Sequence, residues 1–267
     1  MDWAAVEWAD GELRLWLADG RRPVIAPCGE DPAAVLRGLV RPLLAPGQIL
    51  DVFASGWPGT APVRVPCPPP PPGPVVTIDP QIRLFPMPGL VQERPLDLIE
   101  TPVPPIRGHL AATPDFDGVL CLPGRPSAWV QVSAAEIVSF RSFLTMEMQS
   151  ALITPNAPGD DAAFAETVAQ AMSRPAAIAS ELSSVRAGLA LGRFGRLTAQ
   201  ARMAGLLIGA ELAAARPWWL GQNVVILGQG WLADCYAKAL AVQGVIAARA
   251  DPTQAWIAGM RAAQAGL

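Results

Sequence analysis

Along the first third of the chain, apolar and polar residues alternate in short runs. Val6 to Ala9 and Glu12 to Leu17 flank Asp10-Gly11, which predicts two strands joined by a tight turn at Ala9-Asp10-Gly11. More β-like runs follow: ILDVFASG at 49–56, VRVPC at 63–67, VVTID at 75–79 and IRLFPMPGL at 82–90. A second hairpin is predicted for GVLCLPGRPSAWVQV at 118–132, where two alternating runs surround a Gly/Pro/Arg turn. The period then lengthens, and Ala- and Leu-rich stretches predict helices over Ala134–Leu152, Ala162–Met172, Ala176–Leu191 and Leu197–Ala215. NVVILGQGWLADCYAKALAVQG at 223–244 reads as a buried strand, a glycine turn and a helix, and Asp251-Pro252-Thr253 introduces a last helix to about Ala265.

Two hairpins each open one half of the chain. This predicts two α/β lobes, 1–114 and 115–267, with a ligand cleft between them. The proline run PCPPPPPGP at 66–74 fits either a polyproline linker or a rigid wall beside a cleft.

Composition narrows the function. The chain has 267 residues, 51% hydrophobic and 16% charged, which suits a folded protein with a sizeable core. A net charge of −3 offers no basic footprint for nucleic acid. The most apolar late run, Met203 to Leu212, is interrupted by Glu211 and is shorter than the ~20 residues of a membrane span. The first residues are charged where a signal peptide needs an apolar core, so a cytoplasmic location is expected. Cys28, Cys67, Cys121 and Cys235 form no C-x-x-C pair, and His109 is the single histidine, which argues against a zinc site. A Ser-His-Asp triad has no G-x-S-x-G to support it.

Read for chemistry, the first hairpin has two meanings. A small polar turn near the N-terminus can grip a phosphate, or it can be only a hairpin. Four stations give it context. The first hairpin, Glu7-Trp8-Ala9-Asp10-Gly11-Glu12-Leu13-Arg14-Leu15-Trp16, is similar to D-W-G-S/T-S/T-x-L-R-x-W. The second, Pro123-Gly124-Arg125-Pro126-Ser127-Ala128-Trp129-Val130, is similar to P-G-T-H-x-K-W-V. Gly205 to Glu211 reads G-L-L-I-G-A-E, and Gly228-Gln229-Gly230 forms the strand–helix turn. In this order and spacing the chain resembles the 2-dehydro-3-deoxygalactonokinases, sugar-acid kinases of the actin-like ATPase superfamily.

The resemblance implies a two-lobed actin-like, ribonuclease H-like fold, ATP and Mg²⁺ as co-substrate and metal, and a sugar acid as phosphoryl acceptor. It places Glu7 at the family's metal-supporting Asp. It places Asp10, Gly11, Arg14, Gly124 and Arg125 around phosphates or the sugar acid. Gly228 and Gly230 would admit the adenosine. Glu100, with Asp97 as its alternative, stands in the region of the catalytic carboxylate. Trp57 and Thr60 occupy the family's substrate-side loop, with an ordinary turn as the other reading. The partners implied are a sugar acid and a nucleotide, with no nucleic acid and no membrane; a homo-oligomer is left open.

The differences from the family pattern fall on the chemistry. Ala9 stands for a glycine and Asp10 puts a negative charge in the turn. Arg125, Pro126 and Ala128 stand for Thr, His and Lys. Ile99 to Pro105 lacks the family's Arg-Gly-Glu-Glu core, and Thr145-Met146-Glu147 stands for T-G-E. Three functions therefore stay open: phosphorylation of 2-dehydro-3-deoxygalactonate, an inactive relative that binds a sugar acid, a nucleotide or a protein, and a plain structural or interaction protein with the cleft closed.

Overall fold

A computed structural model describes residues 3–17, 22–154, 157 and 159–266. The chain divides into two compact units: unit 1 holds 1–115, 135–137 and 253–267, and unit 2 holds 116–134 and 138–252.

Unit 1 begins with β1 (Trp3–Ala9) and β2 (Glu12–Leu17), antiparallel, with β3 (Val24–Pro27) beyond β2. After α1 (Pro32–Val40), β4 (Leu50–Ser55) pairs parallel with β1. β5 (Val63–Arg64) and β6 (Val76–Asp79) precede β7 (Ile82–Met87), which lies parallel to β4 and antiparallel to β6. The sheet order is β3-β2-β1-β4-β7-β6. Strict alternation gives it two apolar faces. Ala4, Val6, Leu13, Leu15, Val52 and Leu84 form a core with Leu36 and Val40 of α1. Phe53 lies on the other face, stacked on Phe85 at 5.1 Å and edge-on to Trp3 at 6.3 Å. A small second sheet joins β5 to the hairpin of β8 (Leu90–Glu93) and β9 (Leu96–Ile99), and α2 (Val103–Ala112) follows. The prolines of α2 sit in its first turn, where a missing N–H costs no hydrogen bond.

Unit 2 repeats the plan. β10 (Gly118–Leu122) and β11 (Ser127–Ser133) are antiparallel, with β12 (Glu136–Phe143) beyond β11. Helices α3 (Thr145–Leu152), α4 (Asp161–Ser173), α5 (Ile178–Ala190), α6 (Arg196–Ala214) and α7 (Arg216–Trp219) come next. β13 (Val224–Leu227) then pairs parallel with β10, α8 (Gly230–Val242) follows, and β14 (Ala248–Ala250) pairs parallel with β13. The order is β12-β11-β10-β13-β14. Both units thus contain the sheet order third–second–first–fourth with one more parallel strand beyond the fourth, β7 in unit 1 and β14 in unit 2, the ribonuclease H-like plan that the resemblance implies. α9 (Pro252–Ala265) returns to unit 1, where Trp256 packs on Trp16 at 4.3 Å.

Small residues set the helix spacings. A Cβ at Gly205 would lie 2.5 Å from the Phe164 carbonyl oxygen, and one at Gly209 would lie 2.7 Å from that of Val168. The G-L-L-I-G-A-E stretch is thus the face on which α6 meets the backbone of α4. One expectation fails: Ala134–Leu152 is not a single helix. Ala134 and Ala135 have φ of +50° and +61°, so they form the turn between β11 and β12, and helix begins only at Thr145. The proline run does not link the two units. The Arg107 guanidinium donates to the Pro69 and Pro70 carbonyls at 2.5 and 2.6 Å, which ties the run to α2 inside unit 1.

Candidate active site

In unit 1 the first hairpin turns on two residues. Asp10 and Gly11 have φ of +54° and +74°, and Ala9 faces Glu12 across the ladder. Asp-Gly is the common solution for such a turn because both central residues must tolerate positive φ. This register puts Glu7 opposite Arg14. Arg14 donates to Glu7 at 2.9 Å and to Glu12 at 3.1 Å. Partial burial works against the arginine's charge, but the two carboxylates outweigh it and raise its pKa. Glu7 and Arg14 are therefore already engaged with each other.

Beyond β4 the chain passes over the end of β1. Gly56 has φ of +72°, and a Cβ there would lie 2.3 Å from the Trp8 carbonyl oxygen. Trp57 then folds back into the core and is only 8% exposed. Thr60 donates its hydroxyl to the Trp57 carbonyl at 2.7 Å. Trp57, Thr60, Met87, Leu98 and Glu100 line a pocket of about 70 Å³. Glycine at 89 lets β9's end come close, since a Cβ there would lie 2.9 Å from the Glu100 Cα. The substrate-side loop residues Trp57 and Thr60 and the carboxylate candidate Glu100 thus share one pocket. Its volume is well below the ~300 Å³ of a typical whole-ligand site, so it seats a group rather than a sugar acid.

In unit 2 the loop after β10 and the turn after β13 lie side by side at the carboxyl ends of two parallel strands. A Cβ at Gly228 would meet the Pro123 ring at 3.0 Å and Ala233 at 3.1 Å. Gly230, at φ +71°, opens α8, and no side chain caps this helix. Its first-turn N–H groups and the helix dipole favour an anion. Arg125 is exposed on the neighbouring loop and donates to the Ser150 hydroxyl at 2.6 Å. Gly124, Arg125, Gly228 and Gly230 are therefore gathered at one end of the sheet. Asp234 and Lys238, farther along α8, are paired with Arg249 and Asp161, each at 2.6 Å.

The sequence profile of the 2-keto-3-deoxy-galactonokinase family matches residues 8–263. The chain belongs to that family. A protein named as a probable 2-dehydro-3-deoxygalactonokinase, from Rhizobium meliloti, is 27% identical over 98% of this chain and 96% of its own length. The 2-dehydro-3-deoxygalactonokinase of Escherichia coli is 31% identical over 55% of this chain and 50% of its own. A crystal structure from Sinorhizobium meliloti, assigned to a 2-dehydro-3-deoxygalactonokinase, superposes with a TM-score of 0.86 at 28% identity, covering 99% and 96% of the two chains. Component A of the (R)-2-hydroxyglutaryl-CoA dehydratase of Acidaminococcus fermentans shares the fold at a TM-score of 0.54 and 11% identity, over 98% of each chain. The fold is that of the actin-like ATPases and sugar kinases.

One feature of this 2-keto-3-deoxy-galactonokinase family member was legible in sequence only as an interruption. Glu211, 3% exposed on α6, is a four-way acceptor. Its carboxylate takes hydrogen bonds from the Ser127 hydroxyl at 2.9 Å, the Trp129 indole at 2.8 Å and the Tyr236 hydroxyl at 2.7 Å. The Thr145 hydroxyl is the fourth donor. Burial raises the carboxyl's pKa and the four donors pull it back, with burial the larger effect. An acid placed at the end of an apolar helical run was the available signal.

Among the described residues, no group of three or more His, Cys, Asp or Glu side chains could hold a metal. No described helix is long and apolar enough to cross a membrane.

Proposed function

We propose that the chain is an ATP-dependent sugar-acid kinase that phosphorylates the terminal hydroxyl of 2-dehydro-3-deoxygalactonate. The observation behind this reading is the pocket in which Glu100 meets Trp57 and Thr60. Family membership over nearly the whole chain supports the reaction class.

Phosphoryl transfer asks a protein mainly for positioning and for charge around the phosphates. Glu100 accepts the proton of the attacking hydroxyl. The hydroxyl oxygen bonds to the γ-phosphorus, and the bond to the ADP oxygen breaks. Trp57 and Thr60 orient the acceptor in unit 1. Arg14 steadies the acceptor's carboxylate or a phosphate. In unit 2 the Gly228–Gly230 turn and the start of α8 receive the nucleotide, with Gly124 and Arg125 beside its phosphates. Asp10 and Gly11 shape the first hairpin's turn. Glu7 would hold a Mg²⁺ ion through water once Arg14 turns to substrate, and such an ion would supply neutralisation of phosphate charge.

The direct test is ADP release with MgATP and a panel of sugar acids, comparing the native chain with Glu100→Gln. Loss of a general base costs ~10²–10⁴ in rate, so the variant should fall by that factor in kcat with KM little changed. Equal rates in the two proteins would remove Glu100 from the chemistry.

A second reading rests on different residues. Asp10 puts a carboxylate in the phosphate-side turn, Glu7 is held by Arg14, and the second hairpin has no lysine. These favour a non-catalytic descendant that binds nucleotide or sugar acid. Nucleotide binding without product would select it.

A further inference from the structure

We infer that Glu211 is a positioning residue that sets Arg125 against the start of α8. The inference rests on the reading of this end of unit 2 as the nucleotide side.

Arg125 is held from two directions, and both lead to Glu211. Along the chain, Arg125 lies two residues before Ser127, whose hydroxyl donates to the Glu211 carboxylate at 2.9 Å. Through space, Arg125 donates to Ser150 of α3 at 2.6 Å. The first residue of α3 is Thr145, which also donates to Glu211. The third connection runs to α8, where Tyr236 donates at 2.7 Å, less than two turns below Gly230. One carboxylate therefore joins the Arg125 loop, the helix that receives Arg125 and the helix that begins at the glycine turn.

The chemistry fits a fixed node. Four neutral donors converge on one carboxyl group, three of them on Oε2 and the Trp129 indole on Oε1. Ser127, Trp129 and Tyr236 are 0% exposed, and Thr145 is 1% exposed. Stability alone does not call for an acid here. Buried polar clusters can often be replaced by packed apolar residues at no loss, and where they persist they can fix one geometry among several. Apolar side chains could fill the same space, but only a multiple acceptor locks three separate elements in one register. Each of the three leads to a residue placed beside the nucleotide phosphates.

The test uses Glu211→Gln and Thr145→Val, each in the native and the Arg125→Ala background. Thr145→Val removes one donor of four and keeps the inference testable if Glu211→Gln does not fold. Two readouts are needed. Amide hydrogen exchange of the unliganded protein should speed up about tenfold in the 124–127 loop and the first turn of α8, with unit 1 unchanged. Affinity for MgADP by calorimetry should fall about tenfold in the native background and less than about twofold with Arg125→Ala, because coupled residues are not additive. Unchanged exchange in the loop overturns the inference, and so does an affinity loss of equal size in both backgrounds. A native chain that fails to bind MgADP overturns the functional reading, and the exchange result then decides Glu211 by itself.

Discussion

Gly108→Ala is a severe test of how unit 1 is built. α2 and α9 cross with almost nothing between their backbones. A Cβ at Gly108 would lie 1.8 Å from the Ala255 carbonyl oxygen and 2.7 Å from the Gly259 nitrogen. A Cβ at Gly259 would lie 1.8 Å from the Pro104 carbonyl oxygen. Ordinary carbon–oxygen contact is about 3.3 Å, so the helices must part by about 1.5 Å to admit either methyl. The obstructing atoms are helical backbone on both sides, so no side chain can swing away. Alanine gains up to about 1 kcal/mol in helix propensity over glycine. Overpacking costs about 1–3 kcal/mol or more, and a gap of this size also forfeits much of the dispersion between the faces. The Trp16–Trp256 contact at 4.3 Å lies on the helix that must move. The expected net loss is about 1–3 kcal/mol. The double variant Gly108→Ala/Gly259→Ala should cost clearly less than the two single losses combined, because one displacement makes room for both methyls. Urea unfolding followed by hydrogen exchange in α2 and α9 reports on unit 1 specifically. A Gly108→Ala protein as stable as the native one, or a strictly additive double variant, would refute the crossing.

Other outcomes follow from the same geometry. Gly56→Ala combines a positive φ with a Cβ placed 2.3 Å from the Trp8 carbonyl oxygen, so it should lower stability by about 2–4 kcal/mol, read as a shift in the thermal midpoint. His109 is buried in α2, and desolvation lowers its pKa below 6.5. The unfolded chain then binds the proton more readily. Stability should therefore fall as pH drops from 6.5 toward the folded value and level off below it. With no other histidine in the chain, His109→Gln should flatten urea midpoints measured between about pH 5.5 and pH 7, and an unchanged slope would remove His109 as its cause.

Local chemistry made parts of the fold legible. Asp10-Gly11 announced its own turn, and once the turn is placed there the ladder puts Glu7 opposite Arg14. The β13–glycine–α8 unit was equally clear, because a continuous apolar run followed by Gly-Gln-Gly has few other meanings. Ala134 and Ala135 misled in the opposite way. Alanine favours helix, yet here both residues adopt positive φ because β11 and β12 must pair. The candidate pocket lay beyond local reading. Trp57 and Glu100 are brought together by β5 pairing with β8, a parallel contact whose partners are separated by a full strand pair in sequence. Glu211 was visible as an acid at the end of an apolar run, but its donors come from β11, α3 and α8, and no local pattern joins them.

The measurement that bears most directly on function is phosphorus NMR of quenched mixtures of the native chain, MgATP and 2-dehydro-3-deoxygalactonate at high protein concentration, beside the Escherichia coli family enzyme. A new phosphomonoester signal growing with ADP, and absent without the sugar acid, is the result expected of a kinase. No such signal, with the control enzyme turning over, would contradict the kinase reading for this acceptor and leave the chain as a binding protein.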